Sequence, residues 1–155
     1  MEFDATDLRL LDLLQTDASL SNQALAEQAG TSPATALRRV RRLVDEGVIE
    51  RRVALLNPDR LGAGLTALVE ITLDRQGAEH LQAFEERALA DAAVQQCYRV
   101  SPGPDFVLVL HVADMAAYHA LVQRLFTQDA NVRNVKSFFS VKRCKFDLRL
   151  PLPVA

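Results

Sequence analysis

The sequence predicts an α+β protein in two parts, an N-terminal winged helix-turn-helix and a C-terminal ferredoxin-like βαββαβ domain. Three observations predict it. Apolar residues recur at helical spacing in three runs between residues 4 and 46. The second and third runs are joined by a three-residue turn containing Gly30. Beyond residue 65, alternating and helical patterns follow in the order strand, helix, strand, strand, helix, strand.

Taken in order, Leu8, Leu10, Leu11, Leu13 and Leu14 give a buried face to a helix from about Asp4 to Gln15, which Asp4 or Thr6 can cap. Ser21 caps a short helix, Asn22 to Ala29, that buries Leu25, Ala26 and Ala29 and stops at Gly30. Ser32 is a good N-cap and Pro33 suits the first helical position, so a third helix runs from there to about Glu46 and ends at Gly47. Its Ala36, Leu37, Val40, Leu43 and Val44 are expected to face the three-helix core. Val48 to Leu56 suits a short β-ribbon or wing, and Asn57, Pro58, Gly62 and Gly64 mark a linker. Strands are expected over Thr66 to Asp74, Val94 to Val100, Asp105 to Val112 and Val132 to Leu150, with helices over Gly77 to Asp91 and Met115 to Gln128. The expected divisions are residues 1–56, a linker at 57–65, and 66–155.

Composition narrows the class. With 155 residues, 49% of them hydrophobic and 25% charged, the chain can bury a core, and no apolar run approaches the ~18 residues that span a bilayer. No signal-peptide pattern opens the sequence, so cytoplasmic residence without a membrane partner is the expectation. Cys97 and Cys144 have neither metal-type spacing nor the number of a disulfide framework, and both are read as free thiols. His80, His111 and His119 lack the paired spacing of a helical metal site, and Ser101 has no evident base partner. No Gly-rich phosphate loop is present, and neither catalytic residues, metal nor cofactor is expected. Phe138, Phe139 and Phe146 could form a nucleotide-stacking platform, although burial in a dimer is the simpler use. The strand from Phe106 to Val112 is apolar at nearly every position, which predicts helices on one face of the sheet and a second subunit on the other.

Net charge is −2, which at first argues against nucleic acid. Distribution reverses that inference. Arg38, Arg39, Arg41, Arg42, Arg51 and Arg52 face only Asp45, Glu46 and Glu50 in the same stretch. At 100° per residue, Thr35, Arg38 and Arg42 fall opposite the core side of the third helix, and Arg39 and Arg41 fall on its flanks. On the second helix of a helix-turn-helix, that arrangement predicts base reading by Thr35, Arg38 and Arg42 in double-stranded DNA. Phosphates would be held by Arg39 and Arg41, with Arg51 and Arg52 on the wing and Ser32 at the helix start. The alternative is a merely solvated helix face.

The run from Ser32 to Leu43, SPATALRRVRRL, followed by Gly47-Val48-Ile49 and Leu56-Asn57-Pro58, resembles the Lrp/AsnC, or feast/famine, family of prokaryotic regulators. Val69 to Leu73, Cys97 to Ser101, Asp105 to Leu108, and Lys145 with Leu148 to Leu150 are similar to that family's second domain. The resemblance implies a RAM/AsnC-type effector-binding and oligomerisation domain, palindromic DNA sites, control by an amino acid or related metabolite, and homodimers that assemble further, for example into octamers. It also implies an effector site between dimers at the loop Ser101-Pro102-Gly103-Pro104-Asp105-Phe106. There Gly103 would admit backbone N–H groups to a carboxylate, Asp105 would accept from an α-ammonium group, and Ser101 and Ser137 would add hydroxyls. The loop departs from the family pattern, with Pro102 in place of Gly, Gly103 one position late, and Pro104 lacking an N–H; on the last strand Val135 has lost a hydroxyl that Ser137 keeps. A tight turn without a ligand is the alternative reading of that loop. Two rival functions remain: a haem-biosynthesis decarboxylase-like enzyme of the same two-domain build, with His111 in its active site, and a pure ligand-binding or assembly module.

Overall fold

The computed structural model describes residues 2–62 and 64–153, so Met1, Val154 and Ala155 at the ends of the expected domains, and Ala63 in the expected linker, lie outside the described residues. Two compact units form, one from Met1–Leu56 with Lys145–Ala155 and one from Asn57–Cys144.

In the first unit, α1 (Ala5–Thr16), α2 (Asn22–Gln28) and α3 (Pro33–Asp45) each start on a side-chain cap. Asp4, Ser21 and Ser32 accept the N–H groups of Asp7, Ala24 and Thr35, which would otherwise be unsatisfied at the helix starts. Leu10, Leu14, Leu25, Ala26, Ala29, Ala36 and Val40 form the core, and Leu13, Leu20 and Ile49 pack against it. Leu43 is fully buried as well. Two residues expected in that core are outside it: Leu37 is 41% exposed and Val44 45%. The buried arc of α3 is narrow, centred on Ala36, Val40 and Leu43, and Leu37 and Val44 sit about 80° around the helix from its centre. The expected ribbon over Val48 to Leu56 is also corrected, because no strand forms there among the described residues. Val53, Leu55 and Leu56 lie exposed in that stretch. An isolated strand has no ladder partner for its N–H and C=O groups.

In the second unit the expected linker contains a short helical turn. Asn57 caps a 3-10 turn over Pro58–Arg60 by accepting the Asp59 N–H at 3.0 Å. At Gly64 a Cβ would stand 2.4 Å from the Val112 carbonyl oxygen, so a glycine is required where the chain enters β1 beside the end of β3. The elements then run β1 (Leu65–Leu73), α4 (Ala78–Ala90), β2 (Val94–Arg99), β3 (Phe106–Val112), α5 (Met115–Val122) and β4 (Val132–Phe139). A π turn over Gln123–Thr127 prolongs α5. The sheet is antiparallel in the order β2-β3-β1-β4, which is the ferredoxin-like arrangement. Cys97 lies on one edge strand and Cys144 follows the other, and both are free thiols.

The pleat sorts the sheet residues by face. Val69, Ile71, Phe106, Leu108 and Leu110 pack against Phe84, Ala88, Tyr118, Leu121, Leu125 and Phe126 from the helices. The rings of Phe84 and Phe106 are 4.8 Å apart at their centroids. On the opposite face the register lines up Gln96, Val109, Leu68 and Phe138, with Tyr98 beside Val107 in the neighbouring row. Leu68 and Phe138 are exposed there, at 43% and 45%.

The last strand is shorter than expected, ending at Phe139 rather than Leu150. Phe139 pairs with Ala67, and Ser140 donates to the Thr66 carbonyl at 2.9 Å. Beyond that point β4 runs past the start of β1 at Leu65, and an edge strand with no neighbour stops. The tail instead meets α1 in the first unit: the Gln15 amide donates to the Leu150 carbonyl at 2.8 Å and accepts the Leu150 N–H at 2.9 Å. Arg149 pairs with Asp12 at 2.8 Å.

Candidate nucleic-acid interface and effector loop

The arginine row of α3 splits into two groups with different duties. Asp7 lies on the buried stripe of α1 with Leu10 and Leu14 and is 1% exposed. A carboxylate so placed needs cationic partners. Its Oδ1 accepts from Arg39 Nη1 at 2.9 Å and its Oδ2 from Arg42 Nη2 at 2.6 Å. Arg39 also reaches the α1 cap Asp4 at 2.7 Å, and Arg42 approaches Glu46 at 3.7 Å. Burial alone would raise the Asp7 pKa; the bonds from Arg39 and Arg42 outweigh it and hold the group below its ordinary 3.8. The bond to Asp7, followed by that to Asp4, raises the pKa of Arg39.

This corrects the view of the row as nearly unopposed. Arg39 and Arg42, expected at a phosphate and at a base, are bound across the helix pair to α1. Arg38 and Arg41 are exposed and form no ion pair among the described residues. Thr35 is half-buried, and its Oγ1 accepts from the Ser32 hydroxyl at 2.9 Å while its N–H donates to Ser32 Oγ at 3.2 Å. Arg51 and Arg52 are exposed and line a shallow groove with Leu37, Arg41, Val44 and Ile49. The outer face of α3 therefore runs Ala34, Arg38, Arg41 and Asp45, with Leu37 at its side. The Asp4–Asp7 anchor was missed in the sequence. Its signal was there: Asp7 holds an apolar stripe position, three residues before Leu10.

The loop from Ser101 to Phe106, where an effector is expected, is a knitted turn. The Asp105 N–H donates to the Ile71 carbonyl at 2.8 Å, and Val100 N–H donates to the Asp105 carbonyl at 3.1 Å. Asp105 Oδ2 accepts from the Leu73 N–H at 2.7 Å and the Gln76 amide at 3.3 Å. Ser101 and Gly103 are exposed, and Gly103 has φ +122°, which favours glycine. Ser137 is not part of this cluster. It lies on β4, across β1 from β3, which puts about 10 Å of sheet between it and the loop. Its hydroxyl is hydrogen-bonded to the Tyr118 phenol. Among the described residues no group of His, Cys, Asp and Glu is arranged to hold a metal ion, and no helix is long and apolar enough to cross a membrane.

A capped helix-turn-helix whose Arg38 and Arg41 have no ion pair among the described residues, followed by an antiparallel sheet with helices on one face, has the build of a two-domain DNA-binding protein. Residues 3–50 match the winged helix-turn-helix DNA-binding family, and residues 66–150 match the Lrp/AsnC ligand binding domain. The chain belongs to the Lrp/AsnC family of transcriptional regulators. It is 36% identical to an HTH-type transcriptional regulator of Haemophilus influenzae over 93% of this chain and 86% of that protein. It is 34% identical to the leucine-responsive regulatory protein of Escherichia coli K12, over 96% of this chain and 91% of that one. Among solved structures, a transcriptional regulator of Neisseria meningitidis in complex with L-Met superimposes with a TM-score of 0.88 at 28% identity, covering 97% of each chain. Such relatives are regulators, not enzymes, and the decarboxylase reading centred on His111 is set aside.

Proposed function

We propose that a homodimer of this chain sets two copies of α3 into successive major grooves of a palindromic site, roughly 34–36 Å apart along the duplex. The observation that carries this reading is the pair Arg38 and Arg41, exposed on the outer face of a capped helix and without an ion pair among the described residues. Arg38 reads guanine through two parallel hydrogen bonds, while Arg41, Arg51 and Arg52 hold phosphates. Ser32 and Thr35 fix the helix start, and Arg39 and Arg42 fix its attitude to α1. The dimer forms through the open sheet face, where Leu68, Val109 and Phe138 lie in the row beside Glu70 and Lys136. Binding is tested by selecting sites from a random duplex pool with the full chain. Arg38→Ala should cost about 1–3 kcal/mol and relax preference at one position, and Arg41→Ala should weaken all sites alike and lower the salt slope by about one. Unaltered preference in Arg38→Ala overturns the assignment.

We further propose that the second domain senses an amino acid or similar small metabolite between dimers, in assemblies up to an octamer, and that the protein acts in the cytoplasm on genes of related metabolism. The match to a ligand binding domain and the L-Met complex of the Neisseria relative support this. Ser101 and Gly103 would face the ligand, with Asp105 orienting the loop through the Leu73 N–H. Calorimetry with each common amino acid tests it. Absence of heat from all of them, with unchanged DNA affinity, favours the same regulator without a small-molecule effector.

A further inference from the structure

We propose that Leu37 is a specificity-determining residue that reads the methyl group of thymine. The inference deepens the DNA-binding reading above and rests on it. Leu37 is 41% exposed on the flank of α3, helical spacing puts Ala34 and Arg41 next to it, and all three line a groove with Arg38. Ala34 is exposed too, so the first two turns of the helix present a small apolar step beside two cations. With Leu37 41% exposed and Ala34 exposed beside it, apolar area is left in water, and covering it with an apolar group of a partner is favourable. The surrounding charge says which partner. Arg38 and Arg41 on this face, with Arg51 and Arg52 along the adjoining groove, outnumber Asp45, Glu46 and Glu50 there and suit a polyanion. On the floor of the major groove of a duplex, the apolar group presented by the bases is the C5-methyl of thymine. A leucine one residue before a guanine-reading arginine would therefore contact a thymine methyl adjacent to the base that Arg38 reads. The preferred site would then contain a thymine next to that guanine, on either strand.

The test removes one methyl at a time. The full chain is used to select sites from a random duplex pool, and affinities are then measured on the selected duplex with each thymine replaced in turn by deoxyuridine. At one position per half-site the wild-type protein should lose about fourfold in affinity, the factor that corresponds to ~0.8 kcal/mol for one buried carbon group. Leu37→Ala should be insensitive to that replacement and should bind the deoxyuridine duplex as the wild type does. Arg38→Ala serves as the control on the parent reading. If every deoxyuridine duplex binds the wild type like its thymine counterpart while Arg38→Ala still loses site preference, the methyl contact is wrong and the reading helix stands. If Arg38→Ala also keeps the preference, both fall. If Leu37→Ala retains methyl sensitivity but changes the oligomer size in sedimentation, Leu37 is a subunit contact and the proposal is overturned.

Discussion

Asp7 stands where the stripe of α1 asks for a leucine, and the two guanidinium groups it gathers fasten α3 to α1. Removing the charge leaves Arg39 and Arg42 with fewer acceptors at a partly buried seam. Asp7→Asn should therefore destabilise the first unit by about 1–3 kcal/mol, read as a lower denaturant midpoint by circular dichroism. The pH dependence has a definite sign. Because folding lowers the Asp7 pKa, its contribution is complete above the ordinary value of 3.8 and is lost as pH falls through and below it. Wild type should lose stability steeply below pH ~4, and Asp7→Asn should flatten that loss. A mutant whose acid profile parallels the wild type would show that Asp7 is not the titrating group. At the DNA surface, the same residues predict that Arg42→Ala acts mainly on folding and Arg38→Ala mainly on site preference. Comparing thermal midpoints with affinities for the two variants separates these effects.

Two connections between elements decide how the loop and the tail behave. Asp105 fastens the β2–β3 loop to the end of β1 through the Leu73 N–H, so Asp105→Ala should free that amide. Hydrogen exchange at Leu73 should rise at least tenfold, corresponding to loss of a hydrogen bond worth ~1.4 kcal/mol to a charged acceptor. An unchanged exchange rate would mean that the backbone bond between Asp105 and Ile71 suffices to hold the loop. The tail is held to α1 by the side-chain amide of Gln15, which pairs with both backbone groups of Leu150 as a neighbouring strand would. Gln15→Ala should expose the segment Lys145 to Pro153 to trypsin with little change in the midpoint of unfolding, because exposed hydrogen bonds are each worth about 1 kcal/mol or less. Equal cleavage of mutant and wild type would mean that the Arg149–Asp12 pair, or other tail contacts, dominate.

For the whole molecule, the chain enters the first unit, builds the second, and returns to the first, so two covalent connections link DNA-binding and sensor units. The open sheet face carries the assembly prediction. Leu68→Glu or Val109→Glu should convert dimers to monomers in sedimentation and weaken binding to a palindrome far more than to a half-site. Retained dimers with either variant would move the subunit contact to another surface.

The sequence by itself determined the helix-turn-helix, its caps, the βαββαβ order and the candidate arginines. Those features follow from signals within about four residues along the chain: 3.6- and 2-residue periods, Ser and Asp before helices, and Gly and Pro at turns. The likeness of the runs around α3 and β3 to the Lrp/AsnC family was legible on the same local scale. Tertiary structure decided which arginines are free, because the partner of Arg42 lies 35 residues away on α1. It also decided that β4 stops where β1 begins, that Leu37 and Val44 lie outside a narrow buried arc, and that Ser137 lies across the sheet from the β2–β3 loop. Each of these depends on which distant surface packs against an element. Local periodicity specifies a face, and packing specifies what covers it.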